Sequence, residues 1–280
     1  MCPACGATTA VPLFESGDHH YRACTGCGSG RLDPIPAIDP AEFYDTDYFV
    51  GGSIPGGYAD YGIDESVHRR NAQDRLGRIV DAGSEPPGHI IEIGSGYGYF
   101  LDEARRRGWT VSGSDVSEHA RTRAADLGID LADDAAGVSG PADVLAAFQV
   151  VEHMTDPFPV LRGAVNLVRP GGLIIVETWD RSHWMARRLG RHWQQVSPPS
   201  VVYLFTGEGL TEMAGRLGLI DVEIRPTPKY VSVGAVAGQL ATGRAGLRRP
   251  LERIGSSRLG ASPIKYGFGD LVTLTARRPG

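Results

Sequence analysis

All four cysteines of the chain lie within its first 27 residues, in two identical spacings, Cys2-x2-Cys5-Gly6 and Cys24-x2-Cys27-Gly28. In a reducing compartment such a cluster holds a metal more often than it forms disulfides. Two thiolates separated by two residues reach one tetrahedral ion, and the glycine after each pair permits a tight turn. A redox dithiol pair is the competing chemistry for this spacing. Four thiolates complete a structural site, so Cys2, Cys5, Cys24 and Cys27 are expected to hold Zn2+ without taking part in catalysis. Between the pairs, Val11 to Phe14 and Tyr21 to Ala23 are predicted to form short strands around Ser16-Gly17-Asp18, giving a small N-terminal zinc ribbon.

A second constellation is Glu92-Ile93-Gly94-Ser95-Gly96-Tyr97-Gly98, at the end of the apolar run His89 to Ile93. Glycines there let the backbone turn from strand to helix and approach a ligand closely. The spacing is G-x-G-x-G, not the G-x-G-x-x-G of dinucleotide binding, because Tyr99 stands three residues after Gly96. Glu92 would repel a pyrophosphate but suits a ligand with an ammonium group. Asp115 stands 21 residues after Gly94 at the end of the next predicted strand, where a carboxylate can accept both hydroxyls of a ribose. His153 follows the fourth predicted strand at the carboxyl edge, where ligands bind in open α/β sheets, and is a candidate general base.

The elements that must position these groups alternate. His89 to Ile93, Trp109 to Gly113, Ile129 to Leu131, Ala142 to Phe148 and Leu173 to Glu177 read as buried strands. Tyr99 to Arg107, Ser117 to Leu127 and the stretch after Asp156-Pro157 read as the intervening helices. Such alternation predicts an α/β, doubly wound and mostly parallel sheet with helices on both faces. Residues 1–50 are expected to form the ribbon and an extended connector, 51–57 a Gly-rich linker, and 58–280 the larger domain. Net charge −5 and pI near 5.9 argue against a general nucleic-acid or anionic-membrane binder. No apolar run reaches the ~18 residues of a membrane span, and the start Met-Cys-Pro-Ala-Cys-Gly has no secretory pattern. A cytoplasmic protein is expected.

Ile91 to Gly98 and Val111-Ser112-Gly113-Ser114-Asp115-Val116-Ser117 resemble the class I S-adenosylmethionine-dependent methyltransferases. Phe148 to Pro157 resembles that family's fourth motif, and Arg169-Pro170-Gly171-Gly172 the turn before its fifth strand. The double cysteine pair followed by a Phe-Tyr region is similar to a subgroup acting on sugars and secondary metabolites. The resemblance implies a seven-stranded sheet whose last strand, Asp270 to Ala276, runs antiparallel between strands five and six. It implies S-adenosylmethionine as cofactor, with Glu92 on the methionine ammonium, Gly94, Ser95, Gly96 and Gly98 forming the loop beneath it, and Asp115 on the ribose. Val116 would pack on the adenine, Asp133 would reach its amino group, and Tyr58 and Tyr61 would close over the ligand. Gln149 stands where the family often has Asp or Glu near the methionine. The stretch 226–268 is longer than the family's usual hairpin and is expected to shape substrate access.

The activity so implied is methylation of a small-molecule hydroxyl on a sugar or secondary metabolite. N-, C- or carboxyl-methylation, modification of nucleic acid, and a cofactor-sensing binding protein are the alternatives. Related sugar methyltransferases carry Pro-Pro-x-His before an aromatic and Phe, whereas here Pro198-Pro199-Ser200-Val201 puts valine at the histidine position. A base must then come from elsewhere: His153 first, then His183 and His192 flanking Trp184 and Trp193 in a lid-like segment, then Tyr203. Arg244, Arg248, Arg249, Arg253, Arg258 and Lys265, opposed only by Glu252 there, form either a solvated face or a site for a phosphate-bearing or carrier-linked acceptor. Nothing in the sequence speaks to oligomeric state.

Overall fold

The computed structural model describes the chain apart from residues 52–53, 55–56, 59, 235, 237–259 and 261. Its N-terminal strands are β1 (Ala10–Ser16), β2 (His19–Cys24) and β3 (Gly30–Leu32), followed by short helices α1 (Pro40–Phe43) and α2 (Thr46–Phe49) and by α3 (Glu65–Asp81). Then come β4 (His89–Ile93), α4 (Tyr99–Arg106), β5 (Thr110–Ser114), α5 (Glu118–Asp126), β6 (Ala142–Phe148), α6 (Pro157–Val165) and β7 (Val168–Trp179). The remainder is α7 (Trp184–Leu189), β8 (Tyr203–Leu204), α8 (Gly207–Arg216), β9 (Ile220–Pro226), β10 (Lys229–Ser232), β11 (Pro263–Tyr266) and β12 (Leu271–Arg277).

The central sheet has six strands in the order β5-β4-β6-β7-β12-β9. β5, β4, β6 and β7 are parallel, and β12 lies antiparallel to both β7 and β9, as the resemblance implies for the last strand. The expected strand at Ile129 to Leu131 is reduced to a single parallel bridge between Ser114 and Ala132 at the sheet's edge. The cause is local. Asp134 Oδ1 accepts from the N–H groups of Ala136 and Gly137 at 2.8 and 2.9 Å and starts a 3-10 turn, which bends the chain away after one pairing. At β7 the difference runs the other way: α6 ends at Val165, and the strand starts at Val168 and runs through Gly171-Gly172.

Strand alternation sends the apolar side chains to two faces. Ile90, Val144, Ala146, Phe148, Leu173 and Ile175 pack with Leu76 and Ile79 of α3 and Phe100, Leu101 and Ala104 of α4. Ile91, Ile93, Leu145, Ala147, Ile174 and Val176 pack with Leu161 and Ala164 of α6 and Leu210 and Met213 of α8. With both faces covered, the carboxyl edge of the parallel strands is left to build a site.

The ribbon joins this body through a shared sheet. β1 and β2 form the expected hairpin, β3 pairs with β2, and β8 pairs with β3 through Gly30 opposite Leu204 and Arg31 opposite Tyr203. Tyr21 Oη donates to the Val201 carbonyl at 2.5 Å, and Thr206 Oγ1 donates to that of Cys27 at 2.7 Å. The hydrogen-bonded sheet therefore crosses the boundary expected at residue 50. Of the expected linker, Gly51, Ile54 and Gly57 are described, and Gly57 N–H donates to the Ile54 carbonyl at 2.9 Å. The expected insertion opens and closes on the antiparallel β10–β11 ladder. Arg244, Arg248, Arg249, Arg253 and Arg258 lie outside the described residues, and Lys265 lies on β11.

Candidate functional site

A cavity of about 1930 Å3 opens at the carboxyl edge of the central sheet. Ile93, Gly94 and Gly96 of the glycine loop, Asp115 and Val116 after β5, and Gln149, Glu152 and His153 after β6 line it. Tyr44, Tyr48, Tyr58, Tyr61 and His68 cover it from the connector and α3.

The glycine loop is tightly constrained. Gly94 has φ +72°, and a Cβ there would come within 2.4 Å of Val150 Cγ2, so no other residue fits. Gly96 N–H donates to Asp115 Oδ2 at 2.7 Å, and Ser117 N–H donates to Oδ1 at 3.0 Å. These bonds aim the buried carboxylate toward the cavity and leave each oxygen a second lone pair for a diol. Burial pushes the Asp115 pKa up while the two backbone donors pull it back. Tyr61 leans over Gly96, its Oη 3.2 Å from where a Cβ would stand, and its ring stacks on His68 at 3.9 Å.

Glu92 is buried on β4 beside the loop, and its Oε2 makes no hydrogen bond. Burial raises its pKa to about 8 against the opposing pull of Arg75. An orphaned buried carboxyl oxygen next to the loop fits the ammonium of an amino-acid moiety, and Asp115 fits a ribose; both suit S-adenosylmethionine. Val116 is exposed enough to offer a flat apolar contact. Ser95 is buried and bonds inward, its Oγ donating to the Glu92 carbonyl at 3.2 Å, which holds the loop's shape. Glu92 and Ser95 themselves lie behind the cavity wall, and two further expected contacts move. Gly98 is off the cavity wall: a Cβ there would stand 3.2 Å from Ala124 Cβ, so this glycine lets α5 pack against the start of α4. Asp133 is exposed and off the wall as well; its neighbour Asp134, also exposed, caps the 3-10 turn and lines the cavity.

Among the base candidates, His153 lines the cavity, with Nδ1 2.8 Å from the Ser200 carbonyl oxygen. A carbonyl only accepts, so Nδ1 carries the proton and Nε2 keeps a lone pair. Glu152, the preceding residue, is engaged elsewhere: its Oε2 accepts from Thr178 Oγ1 at 2.8 Å. His183 and His192 are not brought to the site. His183 caps α7, its Nδ1 accepting from Met185 N–H at 3.4 Å, and His192 is exposed beside Arg191. Tyr203 reaches the cavity wall, but its hydroxyl donates to the Thr155 carbonyl at 2.9 Å and burial raises its pKa to about 12.

Sequence reasoning missed the charged chain behind Gln149. Gln149 takes φ +53°, a rare conformation for a side chain of its size, and its Nε2 donates to Glu177 Oε1 at 3.1 Å. Glu177 is fully buried, hydrogen-bonded by Arg75 and by Arg78 Nη2 at 3.0 Å, and those guanidinium charges hold its pKa below the ordinary value despite burial. Lys229 Nζ donates to Gln149 Oε1 at 2.8 Å. Arg75 and Lys229 sit on α3 and the insertion, in segments without a motif; only their basic character in otherwise packed runs could have flagged them.

At the ribbon, the four cysteine sulfurs lie within 4.8 Å of one another, with Cys2 and Cys27 Sγ 3.8 Å apart and Cys5 and Cys24 Sγ 3.5 Å apart. The cluster is a ready four-sulfur ligand set for one ion. None of the four cysteines lines the cavity, although Cys2, Cys24 and Cys27 pack in one core cluster with Tyr203 of its wall.

Residues 64–224 match the family described as a methyltransferase domain. The chain is 36% identical over 131 residues to the ubiquinone biosynthesis O-methyltransferase of Caulobacter sp. strain K31, covering 43% of this chain and 50% of that one. To the Escherichia coli O127:H6 enzyme of the same name it is 30% identical over 138 residues, 44% of this chain and 57% of that one. It thus spans about half the length of these curated relatives. Among solved structures, magnesium protoporphyrin IX methyltransferase from Synechocystis PCC 6803 shares the fold with TM-score 0.53 at 14% identity, over 85% of this chain and 97% of that one. A possible histamine N-methyltransferase from Thermotoga maritima does so with TM-score 0.51 at 18% identity, over 78% and 94%. The strand order, the glycine loop answered by Asp115 and the match across 64–224 agree: this chain belongs to the class I S-adenosylmethionine-dependent methyltransferases.

Proposed function

We propose that the chain transfers a methyl group from S-adenosylmethionine to a hydroxyl of a small molecule, a sugar or other secondary metabolite. The observation that carries this reading is His153, with Nδ1 fixed on the Ser200 carbonyl and Nε2 free in the same cavity as the Gly96–Asp115 pair. The O-methyltransferase names of the curated relatives support oxygen as the acceptor atom. Among the described residues no helix is long and apolar enough to cross a membrane. The four cysteines hold a structural zinc, as suits thiols kept reduced in the cytoplasm.

When bound, S-adenosylmethionine supplies a methyl group activated on a sulfonium. The rest is alignment by this chain. Asp115 and Glu92 grip the two ends, while Tyr61 and Tyr58 exclude water from above. His153 Nε2 takes the acceptor hydroxyl's proton as the oxygen becomes a nucleophile. Incubation with labelled S-adenosylmethionine and a panel of hydroxylated acceptors tests the proposal. Label transfer that requires both Asp115 and His153 is expected; transfer only to amines, or only to RNA, overturns it.

A further inference from the structure

Lys229, the first residue of β10, brings a cation into the cavity from the insertion. Its Nζ lies 4.6 Å from the centroid of the Trp179 ring and bonds Gln149 Oε1. Gln149 is itself pinned to Glu177, and the next residue, Val150, packs against Gly94. Gln149 follows β6 and Trp179 ends β7, so the ammonium is held at the carboxyl edge of these two strands. It has three hydrogens to donate, and its hydrogen bond to Gln149 leaves capacity for a ligand.

We propose that Lys229 binds the reacting oxygen of the acceptor, and that the acceptor is a planar molecule with an acidic, phenol-like hydroxyl. This rests on the methyl-transfer reading above. The walls suit such a molecule: Trp179, Tyr44, Tyr48 and Tyr230 all line the cavity. An ammonium facing an oxygen stabilises the oxyanion as the proton departs. Phenols ionise near pH ~10, so one adjacent cation brings the anion within reach at neutral pH; the alcohols of a saturated sugar ionise far higher and gain little. Burial and Arg75 lower the Lys229 pKa to about 8, while Glu177, Glu152 and Asp270 oppose them, so the ammonium is the main form at neutral pH. In the step, the O–H proton passes to His153, the oxygen–methyl bond forms, and the electron pair of the broken carbon–sulfur bond stays on sulfur. Lys229 keeps its protons throughout.

The test uses the full chain saturated with S-adenosylhomocysteine and 4-nitrophenol as the probe, whose coloured anion reports its own ionisation. The bound probe is expected to ionise about one pH unit or more below the free probe. Lys229→Met should abolish the shift and Lys229→Arg should keep most of it, both with unchanged S-adenosylhomocysteine affinity. Lys229→Gln serves in place of the methionine variant if that one does not fold. An unshifted midpoint in the wild type, an equal shift without the lysine, or no saturable probe binding overturns the proposal. Failure of the wild type to bind S-adenosylhomocysteine at all would instead remove the methyltransferase reading beneath it.

Discussion

The Nδ1 atom of His153 sits 2.8 Å from the carbonyl oxygen of Ser200, 47 residues away along the chain. Ser200 belongs to the Pro198-Pro199-Ser200-Val201 stretch, which holds no base of its own and instead orients one through its backbone. Replacing His153 by alanine is expected to lower turnover ~10²-fold or more with cofactor affinity little changed. Steady-state kinetics beside calorimetry with S-adenosylhomocysteine separates the two effects. Near-normal turnover would make the imidazole structural.

Asp115→Ala removes the carboxylate proposed to hold the ribose diol and also releases the N–H groups of Gly96 and Ser117. Binding of S-adenosylhomocysteine should weaken by ~2 kcal/mol or more, the scale of charge-assisted hydrogen bonds. Isothermal titration calorimetry measures it directly, and NAD should fail to bind either protein.

Cofactor binding at the proposed Glu92 contact should be proton-linked. Its folded pKa, about 8, lies above its unfolded value, so the neutral carboxyl prevails below pH 8 in the ligand-free fold. Stability from this group is complete below the unfolded pKa and is lost as pH rises through about 8, with a slope up to ~1.4 kcal/mol per pH unit in between. A ligand ammonium favours the carboxylate, so binding at pH 7 should release a proton. Calorimetry in buffers of different ionisation enthalpy should show that release in the wild type and none in Glu92→Gln. The same variant should outlast the wild type in melting scans at high pH.

Gly94→Ala puts a methyl group against Val150 in a left-handed conformation and should destabilise the fold by ~2–3 kcal/mol. Adding Val150→Ala should recover part of the packing cost but not the backbone strain. Urea denaturation of the single and double variants distinguishes these contributions.

Zinc analysis of fresh, reduced protein should find one ion per chain, and chelation should lower the melting temperature because metal binding contributes to folding of the ribbon. Cys27→Ser should reproduce the loss. Well under one equivalent in reduced protein would refute the metal assignment.

Most of the sheet could be read in advance because buried parallel strands are short apolar runs and their helices carry punctuation such as Ser117 and Pro157. Gly94, Asp115 and His153 were legible because strand ends are where such residues gather. Gly98 and Asp133 show the limit. Spacing locates a residue on the chain but does not tell whether a glycine faces the cavity or a helix, or which of two adjacent exposed aspartates stands at the cavity wall. His183 and His192 were grouped by nearness in sequence, whereas capping and solvent claimed them. Lys229 had no local signature, since its contacts with Gln149 and Trp179 arise only when β10 folds back over them.

The pairing of β3 with β8 has a thermodynamic corollary. The four cysteines bring the ends of the ribbon together, β3 holds β8, and the residues just before β8 present the Ser200 carbonyl to His153. Two ligands that share such a tether influence each other equally in both directions. If metal in the ribbon strengthens ligand binding in the cavity, then an occupied cavity must strengthen metal binding by the same factor. The chain would then hold zinc more tightly with its cavity full than with it empty, and scarcity of metal would be felt as weakened grip on the ligand.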